Sequence, residues 1–123
     1  MHTLERIFQM KVQSAKAKGR NLQKWTRERL IEELEIHEED VESRSMGASG
    51  EDLIMARAAR KKFPYSIECK NQERVNVWES YKQALANCGK YEPIVVIKKN
   101  HHKPLVVIDA EAFIKMHKNE EHS

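Results

Sequence analysis

The chain predicts an α/β domain with a mixed central β-sheet flanked by helices. Two observations carry this. Segments with helical apolar spacing alternate with short β-branched runs, in the order helix, three strands, helix, two strands, helix. In addition, 123 residues suit one domain with a modest core and no second one.

The first clear helix is expected over about 21–36, where Leu22, Trp25, Leu30, Ile31 and Leu34 recur at helical spacing and Gly19 marks the upstream boundary. Residues 1–19 form a basic arm whose periodicity does not choose between a swapped helix and a frayed segment. A short strand around Val41 to Ser45 is followed by a loop carrying Gly47, Ser49 and Gly50. "DLIMA" and "YSIEC" are short apolar runs bounded by charge, hence strands, and "RAARKKFP" between them reads as a basic connection. A second helix is expected over 73–88, with Gly89 as its stop. "EPIVVIKKN" and "KPLVVIDA" predict adjacent strands with His101 and His102 at the tip, a hairpin end rather than a metal pair. Asp109 is a good N-cap for a last helix over 110–117, and 119–123 should fray.

Composition narrows the function classes. The chain is 40% hydrophobic and 33% charged, with 22 Lys and Arg against 19 Asp and Glu. A net charge of +3 does not by itself indicate nucleic acid, although cations crowd 11–29 and 57–62. Cys69 and Cys88 make neither a disulfide framework nor a zinc quartet. No apolar run approaches the roughly 20 residues that span a bilayer. The N-terminus lacks the apolar segment of a secretory signal, which predicts a cytoplasmic protein without a membrane partner.

The chemistry concentrates at "IECKNQ". On a strand, alternate residues face one side, so Glu68 and Lys70 share a face opposite Ile67 and Cys69. The bland alternative is a solvated ion pair worth under about 1 kcal/mol. Against it, the pair closes an apolar strand, follows another strand headed by Asp52, and precedes Asn71 and Gln72. Two carboxylates from adjacent strands can converge on Mg²⁺, which takes one or two of them. A neighbouring lysine can orient water and stabilise charge on a phosphodiester.

With these residues in place, "GED…IECK" resembles the D-(x)n-(D/E)-x-K signature of the PD-(D/E)XK nuclease superfamily, on Asp52, Glu68 and Lys70. "IECKNQ" is similar to its ExKxQ variant, which adds Gln72. "RERLIEEL" resembles the first helix of archaeal-type and phage Holliday junction resolvases, matching their Glu-Arg pair to Glu28 and Arg29. "SRSMGASGED" is similar to their arginine and Gly/Ser-rich loop, matching Arg44 and including Ser49. The likeness covers roughly 20–117 and implies a nuclease domain over 20–118 with a restriction-endonuclease-like αβββαβ core.

It further implies a homodimer that cuts opposing strands of a four-way DNA junction with Mg²⁺ or Mn²⁺, leaving a 5′-phosphate. A phage genome is one expected setting. Asp52 and Glu68 would bind metal, Lys70 would activate water, and Glu28 would support the metal shell. Arg29 and Arg44 would contact phosphate, where a guanidinium can engage two oxygens. Glu51 stands where the motif's proline would be, so two acids adjoin, and Asp52 holds the motif position. The basic insert, with Arg57, Arg60, Lys61 and Lys62, would face DNA. Two alternatives share these residues: a sequence-directed or nicking endonuclease on duplex DNA, and a DNA-binding module without catalysis.

Overall fold

The computed structural model describes residues 2–45 and 47–118. The elements in chain order are α1 (His2–Leu34), a 3₁₀ turn (Glu38–Asp40), β1 (Val41–Ser43), β2 (Leu53–Met55), α2 (Arg57–Lys62), β3 (Tyr65–Asn71), α3 (Val77–Asn87), β4 (Glu92–Lys98), β5 (Leu105–Ile108) and α4 (Ala110–Lys115). The domain is mixed α/β with strands of both orientations. β1 and β2 form an antiparallel hairpin. β3 pairs parallel with β4, and β4 pairs antiparallel with β5. The hydrogen bond from Asp52 N to Ile67 O, 2.8 Å, joins the hairpin to β3.

The helices sort to the two faces of the three-stranded sheet. Ile67, Cys69, Ile94 and Val96 share one face and join Leu22 and Leu30 of α1 in the core, which continues through Val41, Leu53 and Met55 of the hairpin. The other face carries Glu68 beside Val95 in register, and α3 packs against it through the small buried residues Ser80 and Ala84. A parallel strand covered on both sides normally reads as continuous apolar sequence. β3 departs from this at two buried positions, Ser66 and Glu68, the latter only 8% exposed, before it ends in the half-buried Lys70 and Asn71.

Local chemistry sets the element ends. Asn76 caps α3 by accepting from Glu79 N at 3.0 Å, and Asp109 caps α4 by accepting from Ala112 N at 2.9 Å. Beyond α1, Glu35 turns left-handed at φ 55°, and Lys62 Nζ donates to its carbonyl at 2.7 Å. Arg27 then ties α1 to the hairpin, donating to Val41 O at 2.7 Å and to Glu38 O at 2.6 Å.

Three expectations need correction. α1 does not begin near residue 21; it runs unbroken through Gly19 from His2. The arm is rich in Lys, Arg, Gln, Ala and Met, and one interior glycine costs a helix only about 1 kcal/mol. Residues 3–16 are exposed throughout, and Lys11, Ser14 and Ala15 among them border a groove at the end of β3. The basic connection is the helix α2, consistent with the propensities of its Ala, Arg and Lys. The 73–88 helix starts at Val77, because Asn76 supplies the cap. The expected fraying of 119–123 falls outside the described residues. Among the described residues no helix is long and apolar enough to cross a membrane.

Leu53 is fully buried where the hairpin meets the sheets. Leu53→Ala should cost about 2–5 kcal/mol in urea unfolding. Leu4→Ala on the exposed half of α1 should change stability by less than about 0.5 kcal/mol.

Candidate active site

Two short strands bring Asp52 and Glu68 together. Asp52 immediately precedes β2, and its backbone N–H donates to Ile67 O. Its side chain accepts from Cys69 N at 2.6 Å, which places the carboxylate against the backbone between Glu68 and Lys70. Lys70 Nζ lies 3.7 Å from Glu68 Oε2. Glu68 Oε1 is buried and has no hydrogen-bond partner in the protein.

Electrostatics follow from this packing. Burial first, and the negative charge of Asp52 second, push the Glu68 carboxyl up from 4.5 to about 6, while Lys70 and the Asn87 side chain act against the rise. Burial also raises Asp52, opposed by the Cys69 N–H and by the charges of Lys70 and Arg44. The Cys69 thiol is pushed up to about 12, mainly by burial, so it is no nucleophile at neutral pH. Two crowded, partly desolvated carboxylates with one unpartnered oxygen fit a small hard divalent cation. Mg²⁺ takes one or two carboxylates and fills its remaining positions with water and substrate oxygens. The fit is to a two-carboxylate site: among the described residues no group of three or more His, Cys, Asp and Glu is arranged to hold a metal.

The adjoining acid is occupied elsewhere. Glu51 forms an ion pair with Arg60, both side chains being under one-sixth exposed. Arg60 also donates to Tyr65 O at 3.1 Å and lies 4.3 Å from the centre of the Tyr91 ring. These three contacts tie α2 to the segment before β2, to the start of β3 and to the residue before β4, and commit Arg60 to structure rather than to an outward basic patch.

Arg44 stands at the mouth of the site. Its N–H donates to Asp52 O at 2.8 Å and its Nε to Glu51 O at 2.6 Å. The guanidinium lies over Gly50, where a Cβ would come within 2.9 Å of Arg44 Cζ. With φ at 106°, Gly50 is in a conformation that L side chains rarely adopt, so the loop needs glycine for both reasons.

Other expected residues lie apart from this centre. Glu28 is about 200° around α1 from the sheet-facing Thr26, and it does not join Asp52 and Glu68 in a three-ligand group. Arg29 pairs with Glu32 and Glu33 on α1, beside a small apolar hollow lined by Trp25, Leu30 and Leu105. Lys62 is used at the end of α1. Arg57 and Lys61 are exposed and border a shallow recess with Lys90 and Tyr91. Ser49 is exposed in the loop before Gly50. Gln72 is exposed at the end of β3 and borders a groove with Lys11 and Lys18. His101 sits in the β4–β5 turn at φ 64°, and His102 Nδ1 lies 2.8 Å from Asn100 O. The reading from sequence missed Arg20, Lys24 and Arg27, which line a groove with Arg44. Their basic run was visible, but which face of α1 they occupy was not.

The raised Glu68 pKa gives a definite sign. The folded chain holds this proton more tightly than the unfolded one, so the contribution of Glu68 to stability is most favourable below about pH 4.5 and is lost as pH rises through about 6. Glu68→Gln should therefore stabilise the protein by about 1–2 kcal/mol at pH 7.5 and flatten the pH dependence of Tm between 4.5 and 6. Millimolar Mg²⁺ should raise the Tm of the wild type and leave that of Glu68→Gln nearly unmoved. Comparison with protein-family models, with curated proteins and with solved structures finds no match for this chain.

Proposed function

We propose that this chain is a divalent-cation-dependent endonuclease that hydrolyses phosphodiester bonds in branched DNA, as a Holliday junction resolvase does. The observation that carries the reading is the juxtaposition of Asp52 and Glu68, drawn from two strands, with Lys70 beside them and Glu68 Oε1 left without a partner. Burying two carboxylates close enough to raise each other's charge cost lowers stability, and a cation offsets that cost. A restriction-endonuclease-like core belongs to the same reading. In support, the Asp52–Ile67 hydrogen bond sets the β1–β2 hairpin against β3, α1 precedes it, and α3 leads to a parallel β4.

Asp52 and Glu68 would hold Mg²⁺ or Mn²⁺, which supplies Lewis-acid stabilisation of the charge that develops on the phosphate. Lys70 presents an ammonium on the same strand face as Glu68. There it donates to an attacking water or to a phosphoryl oxygen. Arg44 has its backbone N–H and Nε fixed by Asp52 O and Glu51 O, and directs its remaining guanidinium nitrogens to an incoming phosphate. The Cys69 N–H holds Asp52 in place throughout, and attack of water on phosphorus expels the 3′-oxygen and leaves a 5′-phosphate. The two-fold cut of a junction calls for a homodimer, and the exposed Leu105 and Val106 of β5 offer apolar surface on an edge strand for it.

The test is cleavage of a labelled immobile four-way junction beside linear duplex of the same sequence, with and without Mg²⁺. Wild type should make paired cuts in the junction only. Asp52→Asn and Lys70→Ala should lose at least about 100-fold in rate, as removal of a group that acts in the transition state does, while still binding DNA in Ca²⁺. Equal cutting of the duplex would replace junction selectivity by a general or sequence-directed nuclease. Tight binding without any cutting would leave a DNA-binding module.

A further inference from the structure

Between Arg6 and Arg27 the chain has seven Lys and Arg and no Asp or Glu, so the remainder carries 15 Lys and Arg against 19 Asp and Glu. The whole basic surplus of the protein therefore resides on α1. Lys16, Arg20 and Lys24 follow one another at four-residue spacing and Arg27 three later, which puts them on one flank of the helix. Like charges at this spacing oppose helix formation by about 0.2–0.5 kcal/mol per pair. The last turn of α1 is acidic with no basic residue, the reverse of what the helix dipole favours. Helix stability thus gives no account of this charge pattern.

The flank faces a built groove. Arg20, Lys24 and Arg27 of α1 line one side, and Ser43, Arg44 and Ser45 line the other, around an open volume of about 610 Å³; Glu42 is the acid that borders it. Arg27 is held rigidly by Val41 O and Glu38 O, and Arg44 by Glu51 O. At its inner end the groove meets the candidate active site, because Arg44 N–H donates to Asp52 O and its charge acts on the Asp52 carboxylate. From Lys16 to Arg27 the helix advances about 16 Å, which matches about five nucleotides at 3.4 Å each.

We infer that this flank of α1 is a track for a DNA sugar–phosphate backbone, leading a strand past Arg44 toward Asp52 and Glu68. The inference rests on the nuclease reading for the choice of DNA as the polyanion. The groove carries cations and hydroxyls without an aromatic side chain, so it grips phosphates rather than stacked bases.

The experiment measures binding of a fluorescein-labelled four-way junction and a linear duplex in Ca²⁺ across a KCl series. It compares wild type, Arg20→Gln/Lys24→Gln, and a charge-matched control, Lys115→Gln/Lys118→Gln, with circular dichroism and Tm confirming that each is folded. The α1 variant should bind both DNAs several-fold more weakly. Its log K against log salt slope should be shallower by about 1.8, at about 0.9 per lost phosphate contact. The control should retain the wild-type slope. Equal slopes for wild type and the α1 variant, or an equal loss in the control, would overturn the track. Mg²⁺-dependent cleavage by the wild type is scored separately. Its absence, with the slope difference present, would sink the nuclease reading and leave the track standing; cleavage with unchanged slopes would do the reverse.

Discussion

Asp52 meets β3 twice, once through its backbone N–H to Ile67 O and once through its carboxylate to Cys69 N. The first bond aligns the β1–β2 hairpin with the main sheet. The second fixes where the carboxylate points, because a side chain that accepts from a neighbouring strand cannot swing into solvent without losing a charge-assisted hydrogen bond. Most of the site depends on this double attachment. Glu68 is brought beside Asp52 by it, Arg44 is positioned through Asp52 O, and Glu51, one residue earlier, is directed to Arg60.

The same attachment creates an energetic conflict. A strand covered by α1 on one face and α3 on the other would be most stable with apolar residues at every position. Instead β3 buries Glu68 against the charge of Asp52, and both carboxyls respond by holding protons more tightly than in water. Lys70 relieves only part of this. Such a local disagreement between sequence and burial is the pattern of a site kept for chemistry rather than for folding.

Cations divide into two populations that sequence alone does not separate. Arg27, Arg60 and Lys62 satisfy backbone carbonyls or a half-buried carboxylate and hold elements together. Arg20, Lys24, Arg57 and Lys61 are exposed at grooves or recesses. The distinction is geometric: a guanidinium within reach of a fixed carbonyl is immobilised and has only its remaining N–H groups to offer, as Arg27 and Arg44 do, whereas one facing solvent keeps all its donors for a ligand.

Much of this molecule was legible from residue order. β-branched runs marked β4 and β5, Asp109 marked a helix start, and the alternation around Ile67 and Cys69 put Glu68 and Lys70 on a common face, because these are consequences of backbone period and capping chemistry. Gly19 misled, since a boundary read from one residue ignores the propensity of the seventeen that precede it in the helix. The place of Asp52 at the head of an apolar strand already favours it over Glu51; only the tertiary structure decided that Glu51 is taken up by Arg60, that Glu28 does not join the two carboxylates, and that Arg60 is an internal clamp. Those outcomes turn on contacts between segments far apart in the chain, where packing and fixed hydrogen-bond partners choose among side chains that local sequence leaves equivalent.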